Sequence, residues 1–309
     1  MATVGDFYWD SIQHMESSPT NGDRETANKS GLIARYPVAS FFILALAISW
    51  IAWSPWWLGQ DGLGLLPIPG SLQVIALVNP LGIFGPAAAA LIVIRATDGH
   101  AGVRRFWGHV TSLRLGPLWW SVALLGVPAI LLVGVILLPG TLGSFTTDGL
   151  TEVLMIYPVQ LLGIVFLGGG LEEIGWRGFA QPKLQKKTSP LVAALLIGIV
   201  WAAWHAPLFL TQTWDTPRST IAQVLLYVVV VMGLSVIMAW VRNGSGSTLA
   251  AVLAHSSVNG SLGVLVVAFP GSLVETTNWW GLGIILAAAV VAMLTNGRLG
   301  EREVTVNAQ

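Results

Sequence analysis

Six side chains with the chemistry for hydrolysis lie in or beside strongly apolar stretches of the sequence. They are Glu172, Glu173, Arg177, His205, His255 and Asn259. Ionisable side chains within membrane-spanning segments are energetically unfavourable, and they usually mark a functional site. We therefore treat these six residues as the candidate catalytic group.

The spacing of the two glutamates in GGGLEEIGWRG predicts different tasks for them. Glu173 and Arg177 are four residues apart, so on a helix they share a face and could form an ion pair. Glu172 points about 100° away from Glu173 and stays available for another partner. A carboxylate can take a proton from water. We interpret Glu172 as a general base and the Glu173–Arg177 pair as its support.

The other candidates are suited to polarising a carbonyl group and a water molecule. His255 and Asn259, in LAHSSVNGS, are four residues apart and would present an imidazole and an amide side by side. Either group can donate to the oxyanion of a tetrahedral intermediate. His205, in WAAWH, could orient the water or relay its proton. Trp201 shares a helix face with His205, so its indole can pack beside the imidazole.

The composition predicts an integral protein of the cell membrane. The chain has 309 residues, of which 54% are hydrophobic and 10% charged, whereas soluble domains carry about 25% charged residues. The net charge is zero, which gives no indication of a nucleic-acid partner. Cysteine is absent, which excludes disulfides, thiol catalysis and cysteine-ligated metals.

Eight apolar stretches are long enough to cross a bilayer, which takes about 20 residues. They are 37–58, 73–95, 118–138, 150–171, 190–210, 220–241, 247–269 and 279–296. The sequence thus predicts an all-α polytopic membrane protein with about eight transmembrane helices and one membrane domain over 34–297. Residues 1–33 are predicted to form a disordered cytoplasmic N-terminal tail, and 298–309 a cytoplasmic C-terminal tail. Tryptophans near the span ends, among them Trp53 and Trp279, predict an aromatic belt at the membrane surface.

The distribution of basic residues sets the expected orientation. With the N-terminus inside, 14 of the 15 lysines and arginines fall in inner segments, and only Arg218 falls outside. Both termini are therefore predicted to be cytoplasmic, with the catalytic cavity open to the cytoplasmic side. The candidate residues reach a common depth only if the fourth helix continues past residue 171 and includes Arg177.

Three short motifs resemble those of a known family. EEIGWR at 172–177 matches an EExxxR motif, WAAWH at 201–205 resembles FxxxH with Trp201 in place of phenylalanine, and HSSVN at 255–259 matches HxxxN. These motifs, in this order, are typical of the CAAX-protease and bacteriocin-processing family, also called CPBP or Abi. Its members are intramembrane glutamic endopeptidases and include the Ras-converting CAAX endopeptidase. The resemblance covers about 150–270.

The resemblance implies a function and roles for the residues. Glu172 would be the base that activates water, assisted by His205, and His255 with Asn259 would stabilise the oxyanion. The second glutamate and the arginine of the first motif would hold the site. The implied substrate is a membrane-associated protein or peptide, prenylated or lipid-tethered, cleaved within the lipid bilayer without a cofactor. Oligomeric state has no signal in the sequence.

Other functions stay open on the residues alone. Two histidines and a glutamate can ligate zinc, so a zinc-dependent membrane protease is an alternative, although HExxH is absent. A proton-coupled transporter also uses intramembrane glutamate and histidine, but no inverted repeat is evident. A non-catalytic membrane scaffold is the third alternative. The glycines 168–170 would let a helix or a substrate backbone approach closely.

Overall fold

The computed structural model describes residues 31–112, 114–214 and 216–301. Within them the chain is helical and contains no β-strand. Residues 1–30 and 302–309 lie outside the described residues, and with them most of both predicted tails. The prediction of an all-α protein is confirmed.

Within the described ranges, nine principal helices and one composite segment follow one another. The helices are α1 (Pro37–Ala52), α2 (Leu72–Ile83), α3 (Gly85–Val110), α4 (Pro117–Leu137), α5 (Leu150–Leu167), α6 (Pro190–Trp204), α7 (Ile221–Ser245), α8 (Thr248–Ala268) and α9 (Leu273–Leu294). The composite segment, called the motif segment below, consists of Gly169–Leu171, Glu172–Gly175, Trp176–Ala180 and Gln181–Gln185. Shorter helical turns are Leu32–Arg35, Ser54–Trp57, Thr141–Ser144 and Ala206–Leu210.

Seven helical stretches of the described residues are long and apolar enough to cross a membrane. Three of them, Pro117–Leu137, Pro190–Leu210 and Thr248–Ala268, match predicted spans to within one residue at each end. The difference from the predicted eight lies at the first span, where α1 has 16 residues and is shorter than the usual 20 or so. The chain is a polytopic helical membrane protein, and the eighth crossing stays a prediction.

Local signals account for where the central helices begin and end. Thr220 forms a capping box with Gln223 at the start of α7. Gly246 ends that helix with a φ of 70°, a conformation that glycine adopts without strain. Ser189 accepts a hydrogen bond from the Val192 amide at the start of α6.

The motif segment lies between α3 and α8. Glu172–Gly175 packs against α3, and the turn Gly169–Leu171 packs against α8. Helix α7 in turn packs against α6, α8 and α9. Helices α3 and α8, which are distant in sequence, therefore both pack on the segment that carries the two glutamates.

The prediction that the fourth helix runs unbroken through Arg177 is wrong. Helix α5 ends at Leu167, and Gly168 takes an extended conformation with φ −122° and ψ −159°. Every residue of Glu172–Gly175 is buried, whereas α5 has no buried residue. The break at Gly168 thus redirects the chain from an exposed, apolar helix into the interior.

Two tryptophans assigned to the aromatic belt are instead core residues. Trp53 and Trp279 are each 1% exposed. The Trp53 indole donates to the Asn79 carbonyl at 3.2 Å, and its ring lies 4.5 Å from that of Trp204. The belt prediction is wrong for these two residues because their indole rings have protein partners.

Candidate active site

The motif segment is held against α3 by a contact that only glycine permits. A Cβ atom on Gly175 would lie 2.5 Å from the carbonyl oxygen of Pro86, well inside van der Waals contact. The short helix that carries both glutamates is therefore fixed backbone to backbone on α3.

Glu173 binds two cationic or polar partners in a fully buried position. Its Oε2 lies 3.2 Å from Nε of Arg177, and both side chains are 0% exposed. Its Oε1 lies 2.9 Å from Nδ1 of His255. Arg177 also donates to the carbonyl of Ser235 at 3.3 Å. The predicted Glu173–Arg177 pair is confirmed, and His255 joins it from a position 82 residues away.

Glu172 takes part in neither ion pair of Glu173. Its side chain is 4% exposed, and Oε2 accepts a hydrogen bond of 2.7 Å from the indole Nε1 of Trp201. The sequence led us to expect Trp201 beside His205 and missed this bond. A signal was present, because a buried tryptophan N–H usually finds an acceptor, and the phenylalanine of the related motif has no such group.

His255 and Asn259 approach the backbone at Gly169. A Cβ atom there would lie 2.6 Å from His255 Nε2 and 2.8 Å from Asn259 Nδ2. One residue further, a Cβ on Gly170 would lie 2.6 Å from Ser256 Oγ. The glycines therefore do permit the close approach of a helix, which is α8.

His205 lies just beyond the last residue of α6 in an aromatic shell. Its Nδ1 is 3.0 Å from the Trp201 carbonyl oxygen, so this nitrogen carries the proton, and in the neutral ring Nε2 is then an acceptor. The Trp204 ring lies edge-on at 4.6 Å, and the Trp214 ring is stacked at 5.7 Å with 14° between the planes. Tyr227 lies edge-on at 5.6 Å.

Hydrogen bonds hold the loop that follows His205 before Trp214 and at Trp214 itself. Asp61 accepts from Thr213 Oγ1 at 2.8 Å and from the Trp56 indole at 2.7 Å. Arg218 donates to the carbonyl of Trp214 at 2.7 Å. No local sequence pattern indicates this role for Trp214, because Asp61 is 152 residues from Thr213.

The structure brings the six predicted residues into one region through shared partners. Glu173 links Arg177 to His255, and Gly169 lies against both His255 and Asn259. Trp201 links Glu172 to His205. Among the described residues, no three or more histidine and carboxylate side chains are grouped in a way that could hold a metal ion.

Comparison with known proteins supports a family assignment. Residues 154–261 match the family model described as type II CAAX prenyl endopeptidase Rce1-like. The chain is also 25% identical over 226 residues to CAAX prenyl protease 2 of Methanococcus maripaludis, covering 71% of this chain and 82% of that protein. Both findings support a CAAX protease family for this chain.

The family assignment and the helices agree about the kind of protein. The range that matches the CAAX protease model includes all three motifs and all six candidate residues. Together with the seven apolar helices, it makes this protein a multi-pass, membrane-embedded protease.

Proposed function

We propose that this CAAX protease hydrolyses a peptide bond of a membrane-associated, prenylated or lipid-tethered protein or peptide. Water activated by Glu172, with assistance from His205, would be the nucleophile. The observation that carries this proposal is the unequal use of two adjacent glutamates. Glu173 is bound by Arg177 and His255, whereas Glu172 takes part in neither ion pair. A base must be free to accept a proton, and of the two only Glu172 meets that condition.

The first step is proton transfer from water to Glu172 as the water oxygen attacks the scissile carbonyl carbon. His205 supports this step through Nε2, which can accept a hydrogen bond from the water since Nδ1–H is already given to the Trp201 carbonyl. The same proton then passes from Glu172 to the leaving amine as the C–N bond breaks. Glu172 returns to its carboxylate form, and no cofactor enters the balance.

The oxyanion of the tetrahedral intermediate is assigned to His255 and Asn259. The Asn259 amide is a donor in any protonation state. For His255 Nε2 to donate as well, the ring must carry both protons, and the Glu173 carboxylate 2.9 Å from Nδ1 is the counter-ion that such an imidazolium needs. Each such donor typically contributes about 10²–10³ in kcat.

The prenylated substrate and the direction of entry are part of the same proposal. The substrate class follows the names of the matching family model and of the archaeal relative. The bias of basic residues favours cytoplasmic termini and entry from the cytoplasmic side. We also assign residues 34–297 to a single membrane domain.

The deciding experiment is cleavage of fluorogenic peptides by the purified full-length protein in detergent. The panel contains peptides with and without a prenyl group, assayed with wild-type protein and Glu172→Gln, each with and without a strong chelator. Glu152→Gln, at an exposed position of α5, is the matched control. We expect cleavage of prenylated peptides that survives the chelator, persists in the control and falls at least 10³-fold in Glu172→Gln, the combined scale of base and water-orienting effects.

Other outcomes would overturn defined parts of the proposal. Cleavage that is lost with chelator and restored by zinc would make the protein a zinc-dependent protease. Full cleavage by Glu172→Gln would remove Glu172 from the reaction. Cleavage of unprenylated peptides alone would overturn the substrate class, and no cleavage of any peptide in the panel would count against the protease mechanism and for a scaffold.

A further inference from the structure

Trp201 contacts four of the six candidate residues. Its indole N–H donates to Glu172 at 2.7 Å, and its backbone carbonyl accepts from His205 at 3.0 Å. The Arg177 guanidinium lies over its ring at 5.1 Å. The ring meets His255 edge-on at 5.2 Å with 70° between the planes. Trp201 is 2% exposed, so these contacts are made away from bulk water.

The contact with Glu172 distinguishes tryptophan from the phenylalanine of the related motif. A phenylalanine could keep the ring contacts with Arg177 and His255, but it has no N–H group. A hydrogen bond donated to a carboxylate both orients it and favours its ionised form. The substitution within the motif therefore adds a donor aimed at the residue assigned as the base.

We propose that Trp201 is a positioning residue that holds the Glu172 carboxylate in one orientation through its indole N–H. This proposal rests on the proposed function, in which Glu172 is the base. Other titratable or charged groups around Glu172 are Glu173, Arg177, His255 and Tyr227. Trp201→Phe replaces none of these side chains and keeps an aromatic ring beside Arg177 and His255, so the main change at Glu172 is loss of the indole donor.

Trp201→Phe is therefore the test, and Trp53→Phe is its matched control. Trp53 is 1% exposed and donates its indole N–H to the Asn79 carbonyl at 3.2 Å instead of to a carboxylate. When a reaction depends on a general base, kcat/KM rises with pH as the base ionises, which forms the acid limb of the pH profile. Loss of a donor that favours the ionised form therefore moves this acid limb to higher pH. We expect a shift of about one pH unit in kcat/KM for Trp201→Phe. We also expect a roughly tenfold lower kcat at neutral pH with KM within about twofold of wild type.

The position of the acid limb does not depend on how much of a variant folds, since misfolded protein lowers only the amplitude. Trp53→Phe should keep the acid limb of the wild-type protein. An unshifted limb in Trp201→Phe, with Glu172→Gln inactive, would overturn the role of Trp201 and leave the proposed function standing. Activity in Glu172→Gln would instead overturn the proposed function, and the positioning role with it.

A second and independent observation is a basic cleft at the end of the motif segment. The cleft has a volume of about 360 Å³ and is lined on one side by Arg35, Tyr36 and the first turn of α1. Its other side is formed by Lys183, Lys186 and Lys187. Among the residues that the structure describes, no acidic side chain lines the cleft and these four basic residues form no ion pair.

The position of the cleft points to a membrane lipid. It lies where α1 begins and just before α6 begins, at the ends of helices that pack in the apolar bundle. Basic clusters next to membrane helices attract anionic headgroups, and Tyr36, Pro37 and Val38 give the cleft an apolar wall beside its charges. We infer that this basic cleft binds the phosphate headgroup of an anionic phospholipid.

Native mass spectrometry of the detergent-purified full chain with phosphatidylglycerol or phosphatidylcholine tests the inference. Lys186→Gln/Lys187→Gln removes two exposed charges from the cleft, and Arg104→Gln/Arg105→Gln removes two exposed charges from α3 outside its lining. We expect phosphatidylglycerol binding to fall roughly 30-fold in the lysine pair and to stay within threefold of wild type in the arginine pair. Equal loss in both pairs, or equal binding of the two lipids, would overturn the site. Full displacement by millimolar inorganic phosphate would reassign it to a free anion.

Discussion

Each of the two histidines in the candidate site is bound through its Nδ1 atom, but the groups that surround the two rings differ in charge. On the charged side, His255 Nδ1 meets the Glu173 carboxylate, which also binds Arg177 in a fully buried pair. On the aromatic side, His205 Nδ1 meets a backbone carbonyl, and the ring lies among Trp204, Trp214 and Tyr227. The charged side thus has a counter-ion for an imidazolium, whereas the described residues show no ion pair with His205 on the aromatic side.

Under the proposed function, this difference concerns two charges that arise during hydrolysis. One is the proton taken from water, and the other is the negative charge that develops on the substrate carbonyl oxygen. A neutral His205 can accept a hydrogen bond from water without competing with Glu172 for its proton. A cationic His255 can face the negative charge that develops on the substrate carbonyl. Under the proposed function these two states differ, so substitutions on the charged side and on the aromatic side should affect stability and activity in different ways.

Glu173→Ala should have the largest effect, and on stability first. Removing one partner of a buried ion pair leaves an uncompensated charge, here on Arg177, and typically costs about 3–5 kcal/mol. Thermal unfolding in detergent should show this loss, while Glu152→Ala, at an exposed position of α5, should stay near wild type. Equal unfolding of the two variants would mean that Glu173 is not structurally necessary on the charged side.

Gly169→Ala should damage catalysis on the charged side without an added or lost charge. The new Cβ would lie 2.6 Å from His255 Nε2 and 2.8 Å from Asn259 Nδ2, so both donors must shift. A displacement of about 1 Å in a catalytic group can cost about 10²-fold in rate, which we expect in kcat/KM. Gly163→Ala is the control, since nothing lies within 4 Å of a Cβ there. If the two alanine variants cleave alike, His255 and Asn259 do not act at this position.

Asp61→Ala should affect the aromatic side from a distance. Asp61 is 7% exposed and accepts from Trp56 and Thr213, so its removal takes the carboxylate acceptor away from the buried Trp56 indole and frees the loop that carries Trp214. We expect about a tenfold loss of kcat/KM, and little change in Asp148→Ala, an exposed aspartate. Wild-type activity in Asp61→Ala would show that the aromatic side does not depend on this loop.

Sequence patterns were reliable where the relevant contacts are local. Apolar length located α4, α6 and α8, because a bilayer or an apolar core imposes composition directly on a helix. The Glu173–Arg177 pair followed from helix periodicity alone. The match of three motifs in order located all six candidate residues before any geometry was available.

Contacts between distant segments could not be read in the same way. No local sequence pattern predicts the Glu173–His255 contact or the stacking of Trp214 on His205, because each contact depends on how separate elements pack. The span prediction missed the break at Gly168, because hydropathy measures composition and contains no information on the direction of the backbone. Trp53 and Trp279 were misassigned for a related reason: a tryptophan near a span end suits a membrane surface or a protein interior equally well.

Substitutions at Trp214 should have the smallest effect, and they test whether its ring positions His205. Trp214→Phe keeps an aromatic ring that can stack on His205, whereas Trp214→Ala removes it. Aromatic pairs contribute about 0.5–1.5 kcal/mol, so we expect a 3–10-fold loss of kcat/KM in the alanine variant and less than about threefold in the phenylalanine variant. Trp119→Ala, at a partly buried tryptophan that packs on Trp240, is the control for loss of an indole. If Trp214→Phe and Trp214→Ala lose activity equally, the ring stack is not what holds His205, and its bond to the Trp201 carbonyl alone would orient the imidazole.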